Sequence, residues 1–427
     1  MTVLEFIDKT PSPYHTVIAL REWLTEEGYT EVSESDEWKL SPGGSYFVTR
    51  GGSSLLAFRL PKNMPAGIML GAAHSDFPTF RVKPKETVSR AGDCTGLSVE
   101  KYGGMLCAPW MDRPLSVAGR LVLKASKGIQ VRPVNVDRDL LVIPSVAIHM
   151  NREANQNASY NAATDMIPLF GMSGASLRSV LAEAACVSEE DILSHDLFLY
   201  PRQKATVTGA KGEFLVAPHL DDTVCVYALA NGFLASSGEG SLPMLAVFDN
   251  EEVGSSTKQG ANSTFLAHTL RRIAECYGMG ETAIDRMLAN GFAVSADNGH
   301  AIHPNHPEYA DALHAPKLGG GVVVKFNASQ KYMTTGVSAA IFESFCRKAN
   351  VPTQHYTNRA DLPGGSTLGS ICSTRVSLMG VDVGLAQLAM HSPVETAALC
   401  DVEHLTAAMK EVFSGGIVAN GDNYSFQ

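Results

Sequence analysis

G-I-M-L-G-A-A-H-S-D-F-P, residues 67–78, sets a short apolar run directly against His74 and Asp76. An unbroken apolar run bounded by glycine or proline is the pattern of a strand covered on both faces. Such strands form sheets flanked by helices, and in open α/β sheets a ligand site lies beyond their carboxyl ends. The same arrangement recurs along the chain. H-L-D-D carries Asp221 and Asp222 behind the run at 214–217, and D-N-E-E carries Glu251 and Glu252 behind the run at 244–248. S-A-D-N places Asp297 behind residues 292–294, and A-M-H-S places His391 behind residues 384–389. Helical spacing over 222–234 and 402–413, with a further strand at 55–60, completes an α/β rhythm. The expectation is that these distant strand ends converge on one crevice.

The residue types at those ends suit a pair of divalent cations. Imidazole and carboxylate are ligands for zinc, with manganese or cobalt as alternatives, and one carboxylate can bridge two ions. The chemistry assigns Asp221 as the bridge, His74 and Asp297 to one ion, and Glu252 and His391 to the other. Glu251 is left free. Neighbours in extended chain point to opposite sides, so Glu251 is expected to face the reacting water as general base while Glu252 ligates. Asp76 is expected to accept the second ring N–H of His74, the contact that orients a metal-bound imidazole.

Other segments organise the chain or narrow its function. Residues 3–28 carry apolar positions at helical spacing and read as one amphipathic helix. From 85 to 195 the texture changes to short strand-like pieces, among them 121–125 and 140–146, with a polar stretch at 151–161. This reads as an inserted unit, leaving 1–84 and 196–427 as a discontinuous main domain. No repeat or low-complexity tract interrupts it. The chain has 427 residues, is 45% hydrophobic and carries a net charge of -10, which argues against a nucleic-acid partner. No run is apolar enough to cross a membrane, and the charged start M-T-V-L-E-F-I-D-K-T places the protein in the cytoplasm. The eight cysteines form no C-x-x-C pair and are expected to be buried free thiols. His300, His303 and His306 are three apart, but Pro304 and Pro307 break any helix that would align them, so a loop is expected. P-G-G-S-T-L-G at 363–369 lacks the lysine of a phosphate-binding loop, and its glycines are expected to admit a close backbone approach.

The chain resembles the aspartyl aminopeptidase family of dizinc metallopeptidases over essentially its full length. The resemblance rests on F-I-D-x-x-P-S-P-Y-H at the start, Y-G-G at 102–104, W-M-D-R at 110–113, A-I-H-M-N-R at 147–152 and D-N-E-E-V-G-S at 249–255. It continues through S-A-D-N-G-H-A-I-H-P-N at 295–305, V-D-V-G at 381–384 and Q-L-A-M-H-S at 387–392. It implies a mixed-sheet, three-layer metallopeptidase domain with an inserted, mainly β dimerisation domain. It implies two zinc ions per subunit on His74, Asp221, Glu252, Asp297 and His391, with Glu251 as base. It further implies substrate contacts from His149, His300 and Lys325, with His149 reaching a neighbouring subunit's site. The implied substrates are peptides with a free, preferentially acidic N-terminal residue, and the implied assembly is a dimer grouped into a dodecamer. Two positions depart from the family pattern: Asp222 stands where an asparagine is expected, and Phe77 where a small residue is expected. The alternatives are a dizinc aminopeptidase of broad specificity, a deacylase or carboxypeptidase on the same site, and a non-catalytic scaffold.

Overall fold

The computed structural model describes residues 1–156 and 158–426; Asn157, within the polar stretch, lies outside the described residues. The frame is a nine-stranded mixed sheet. Its centre is the parallel set Leu242–Phe248, Ile68–His74, Phe292–Ala296 and Gly380–Gly384. Side chains alternate along each strand, and the two faces bury different cores. Leu245 and Val247 join a core with the helices Pro13–Glu26, Leu220–Leu234, Gly336–Lys348 and Leu399–Ser414. Met244, Ala246 and Phe248 join the opposite core with Phe265–Cys276 and Leu368–Val376. The result is a helix–sheet–helix sandwich, three layers deep.

Two smaller sheets are attached to this frame. A five-stranded sheet joins Thr206–Thr208, Phe214–Ala217, Glu395–Ala398, Ala386–Leu388 and Gly299–His300. A six-stranded antiparallel sheet, with the helix Leu177–Ala185, has a core of its own around Phe80, Trp110, Leu121 and Leu197. Its strands Thr79–Arg90 and Ile192–Pro201 begin before residue 85 and run past residue 195.

Several local expectations need correction. Residues 3–28 form two helices, Val3–Asp8 and Pro13–Glu26, because a residue preceding proline is driven out of the helical region and Ser12 is extended. Residues 140–146 form no strand; Leu141 and Val142 make only single bridges to Leu115 and Leu169. The run 384–389 is split, with Gly380–Gly384 in the large sheet and Ala386–Leu388 in the five-stranded one. At the crossing a Cβ on Gly384 would lie 1.9 Å from the Asp297 carbonyl oxygen, so only glycine fits. All eight cysteines are free, but only Cys225, Cys346 and Cys372 are buried; Cys94, Cys107 and Cys276 are partly buried, and Cys186 and Cys400 are exposed. Residues 363–369 do admit a close approach: a Cβ on Gly369 would lie 2.5 Å from the Asp382 carboxylate.

Candidate metal centre

His74 closes its strand, Glu251 and Glu252 follow the adjacent strand, and Asp297 follows the next, so the parallel centre of the large sheet presents them at one edge. Asp221 instead stands in the first turn of the helix Leu220–Leu234, just after a strand of the five-stranded sheet, and His391 follows another strand of that sheet, Ala386–Leu388. Convergence therefore involves two sheets, not the ends of one. Asp221 lies between two imidazoles: Oδ1 is 3.5 Å from His74 Nε2, and Oδ2 is 3.4 Å from His391 Nε2. His391 Nε2 is also 3.5 Å from Glu252 Oε1. One donor atom each from His74, Asp221 and Asp297 lie within 4.8 Å of one another, as do those of Asp221, Glu252 and His391. The two groups share Asp221.

The electrostatics of the cluster call for cations. Burial, then repulsion by neighbouring carboxylates, pushes Glu251 up to about 8. The same causes raise Glu252 well above its ordinary value, and burial with Asp221 raises Asp297 against the pull of Lys325. For Asp221 burial also works upward, but the imidazoles of His391 and His74 outweigh it and hold its carboxyl below the usual range. Asp221 Oδ1 is buried without a hydrogen-bond donor. Carboxylates crowded out of water, with an orphaned Asp221 oxygen facing an imidazole, fit divalent cations, which would supply the missing positive charge.

Further buried carboxylates, Asp76 and Glu395 among them, hold the cluster in place. Asp76, fully buried, accepts the Glu251 N–H at 3.0 Å, the Glu252 N–H at 3.2 Å and the Tyr102 hydroxyl at 2.7 Å. The His74 Nδ1 bond goes to the backbone carbonyl of Asp76 at 3.0 Å, with the carboxylate farther off at 3.4 Å. Asp76 thus orients the turn of the two glutamates as well as His74. That turn, Glu251–Val253, is a 3-10 helix entered through Asn250 at φ 62, not extended chain, so the glutamates diverge by helical rotation instead of strand alternation. Glu395 is 1% exposed and accepts the Asp221 N–H at 3.0 Å and the His391 N–H at 2.6 Å. Sequence reasoning passed over Glu395; its only local signal is its place four residues after His391 in H-S-P-V-E.

The remaining expected residues fall at varied distances from the cluster. Lys325 is buried, and Nζ donates to the Asp297 carbonyl at 2.7 Å and the Asn298 carbonyl at 3.2 Å while standing 3.4 Å from Asp297 Oδ1. His300 is exposed and lines a cavity of about 320 Å³ with Tyr356, Arg359, Gln387 and Ala389. His303 and His306 stand in that cavity wall too, joined by a single bridge in an otherwise irregular loop. His149 is exposed on the insert, within a segment that also exposes Val146, Ile148 and Met150. Asp222 is fully buried and accepts the His74 N–H at 3.1 Å, and Phe77 stacks on His219 at 4.5 Å. Cys400, Asp401 and His404 also gather donor atoms within 4.8 Å, but Asp401 is engaged by the amides of Gly319 and Gly321 and serves to pin that loop.

A family model described as aminopeptidase I zinc metalloprotease (M18) matches residues 6–413. A probable M18 family aminopeptidase 2 of Clostridium acetobutylicum is 37% identical over 422 residues, covering 96% of this chain and 98% of the relative. The same-named protein of Pseudomonas aeruginosa is 37% identical, covering 95% and 96%. Among solved structures, Ape4 in its complex with Nbr1 superposes with a TM-score of 0.93 at 34% identity, covering 96% of this chain and 84% of that one. The mApe1 dodecamer of S. cerevisiae gives 0.85 at 27% identity, covering 96% and 95%.

Proposed function

Because the chain belongs to the M18 family of zinc aminopeptidases, we propose that its cluster holds two zinc ions and removes N-terminal, preferentially acidic, residues from peptides. The observation that carries this reading is the pair of three-donor groups sharing Asp221. Asp221 would serve both ions, His74 and Asp297 would hold one with it, and Glu252 and His391 would hold the other. Manganese or cobalt fits the same donors. When bound, the ions supply Lewis acidity that polarises the peptide carbonyl and acidifies a water.

The chain's own groups handle the proton and the substrate. Glu251 accepts a proton from the attacking water and delivers it to the leaving amine; its turn, tied to Asp76, keeps the carboxylate beside His74 and Glu252. His300 stands at the cavity wall, where its ring can donate to the developing oxyanion or hold the substrate. A substrate carboxylate entering this buried site needs a cationic partner, and Lys325 is the buried ammonium beside the ligands.

Residues 85–195 form the core of the dimerisation unit, and the active assembly is a homo-oligomer, a dimer grouped into a dodecamer, a reading supported by the similar mApe1 being a dodecamer. The exposed Val146, Ile148 and Met150 support an interface there, through which His149 would reach the neighbouring subunit's site. Eight free thiols suit a reducing, cytoplasmic setting, and no helix among the described residues is long and apolar enough to cross a membrane.

The test is metal content together with hydrolysis of Asp-, Glu-, Leu- and N-acyl-terminated peptides, before and after chelation. Two zinc ions per chain, activity lost on chelation and a preference for the acidic peptides are expected. A preference for Leu leaves a broad-specificity aminopeptidase, preference for the acylated peptides leaves a deacylase, and metal without turnover leaves a scaffold.

A further inference from the structure

Glu395 opens the strand Glu395–Ala398 with its side chain turned into the protein, 1% exposed. Its two oxygens are used separately: Oε1 takes the His391 N–H at 2.6 Å and Oε2 the Asp221 N–H at 3.0 Å. One carboxylate thus spans two chain segments that are far apart in sequence and deliver donors to the same centre. Both bonds come from backbone amides, one to each carboxyl oxygen, so a single buried side chain ties the two segments together. His391 has special need of such a hold. Its φ is +65, a left-handed conformation that side-chain-bearing residues adopt at a cost, and its carbonyl is fixed from the other side by the Leu106 N–H at 3.1 Å.

We propose that Glu395 is a positioning residue of the metal centre, setting the Asp221 and His391 backbones in register before a cation arrives. The proposal rests on the two-ion reading above. His391 serves only one of the two positions, whereas Asp221 is shared and is also faced by His74. Loss of Glu395 therefore weakens the His391–Glu252 position more than the His74–Asp297 position. Asp76 performs the matching task for Glu251 and Glu252 and Asp222 accepts the His74 N–H, so the centre is framed by three buried carboxylates that touch backbone amides of its ligands.

Glu395→Gln keeps the size of the side chain but sets an amide N–H against a backbone N–H. The experiment measures both zinc dissociation constants of the full chain by competition with a chromogenic chelator, alongside thermal unfolding of the metal-free protein. One constant is expected to rise by about 10–100-fold and the other to change less, with kcat returning toward wild type at saturating zinc. Unchanged constants, or equal weakening of both, overturn the proposal. So does a fall in metal-free stability with unchanged constants, the mark of a purely structural residue. Should Glu395→Gln fail to fold, Glu395→Asp retains both carboxyl oxygens but withdraws them by one methylene, and the same unequal weakening is required of it. Wild-type protein is titrated first: binding of fewer than two zinc ions there would refute the two-ion reading itself, independently of Glu395.

Discussion

Replacing Lys325 with methionine removes a buried ammonium while keeping an unbranched side chain of similar reach. In the structure Nζ lies 3.4 Å from Asp297 Oδ1, and at an effective dielectric near 20 that attraction is about 5 kcal/mol. Burial opposes the lysine charge, but Asp297 first, with Tyr332 and Asp382, outweighs it and holds the pKa above the ordinary lysine value. The ammonium is therefore present at any working pH. Without it, two carbonyls lose their donor and Asp297, already raised by burial, is raised further. Protonation of Asp297 relieves much of the lost attraction, so the full 5 kcal/mol will not be observed. A zinc ion must then displace that proton, and its affinity for the His74–Asp297 position is expected to fall by about 10–100-fold. A second effect concerns the substrate. A hydrogen bond between charged groups contributes about 1.5–3 kcal/mol, so at saturating zinc kcat/KM for an Asp-terminated peptide should fall by about 10–150-fold beyond the loss for a Leu-terminated one. Chelator competition and paired steady-state kinetics read the two effects separately. Unchanged zinc affinity would refute the hold on Asp297, and an unchanged Asp-to-Leu ratio would refute the role in acidic recognition.

Glu251→Gln is expected to retain both metals while kcat falls by about 10²–10⁴-fold; near-normal turnover in a metal-loaded sample would remove Glu251 from the base role. Gly103 has φ +76, and a Cβ there would lie 3.1 Å from Glu252 Cβ, so Gly103→Ala should cost about 1 kcal/mol or more and displace Glu252, seen as lower denaturation midpoint and weaker zinc uptake. A variant with wild-type melting and zinc affinity would contradict that packing. The metal-free protein should lose stability as pH rises. Glu251 is raised from 4.5 to about 8 and Asp249, mainly by burial and then by Asp76, from 3.8 to about 7. Between those limits the folded state binds more protons than the unfolded chain, so its stability is highest at the acid end of the window and falls through it. Zinc offsets the same charge, and the gap in Tm between loaded and metal-free protein should be wider at about pH 8 than at about pH 5.5. A gap independent of pH would refute the assignment of those shifts.

His74 was legible because an imidazole directly ending a buried apolar run is a chemical signal that needs no partner to be seen. The same holds for the carboxylates after the runs at 214–217, 244–248 and 292–294. What periodicity cannot register is which sheet a run enters. Residues 384–389 look like one strand, yet the chain leaves the large sheet at Gly384 and pairs with Glu395–Ala398 after Leu385. The break in the first helix was written in Pro11 and Pro13, whereas the 3-10 turn of Glu251 and Glu252 had no comparable marker.

The donor inventory of the centre, and the buried strands that carry it, follow from the amino-acid order alone, because side-chain chemistry and strand burial are local properties. The tertiary structure decided which donors share Asp221, and which carboxylates orient the ligands. Asp76 meets the Glu251 amide across 175 positions of chain, and Glu395 meets the Asp221 amide across 174. A carboxylate becomes a support instead of a ligand according to the amide that packing brings to it, and at such separations that choice belongs to the assembled sheets.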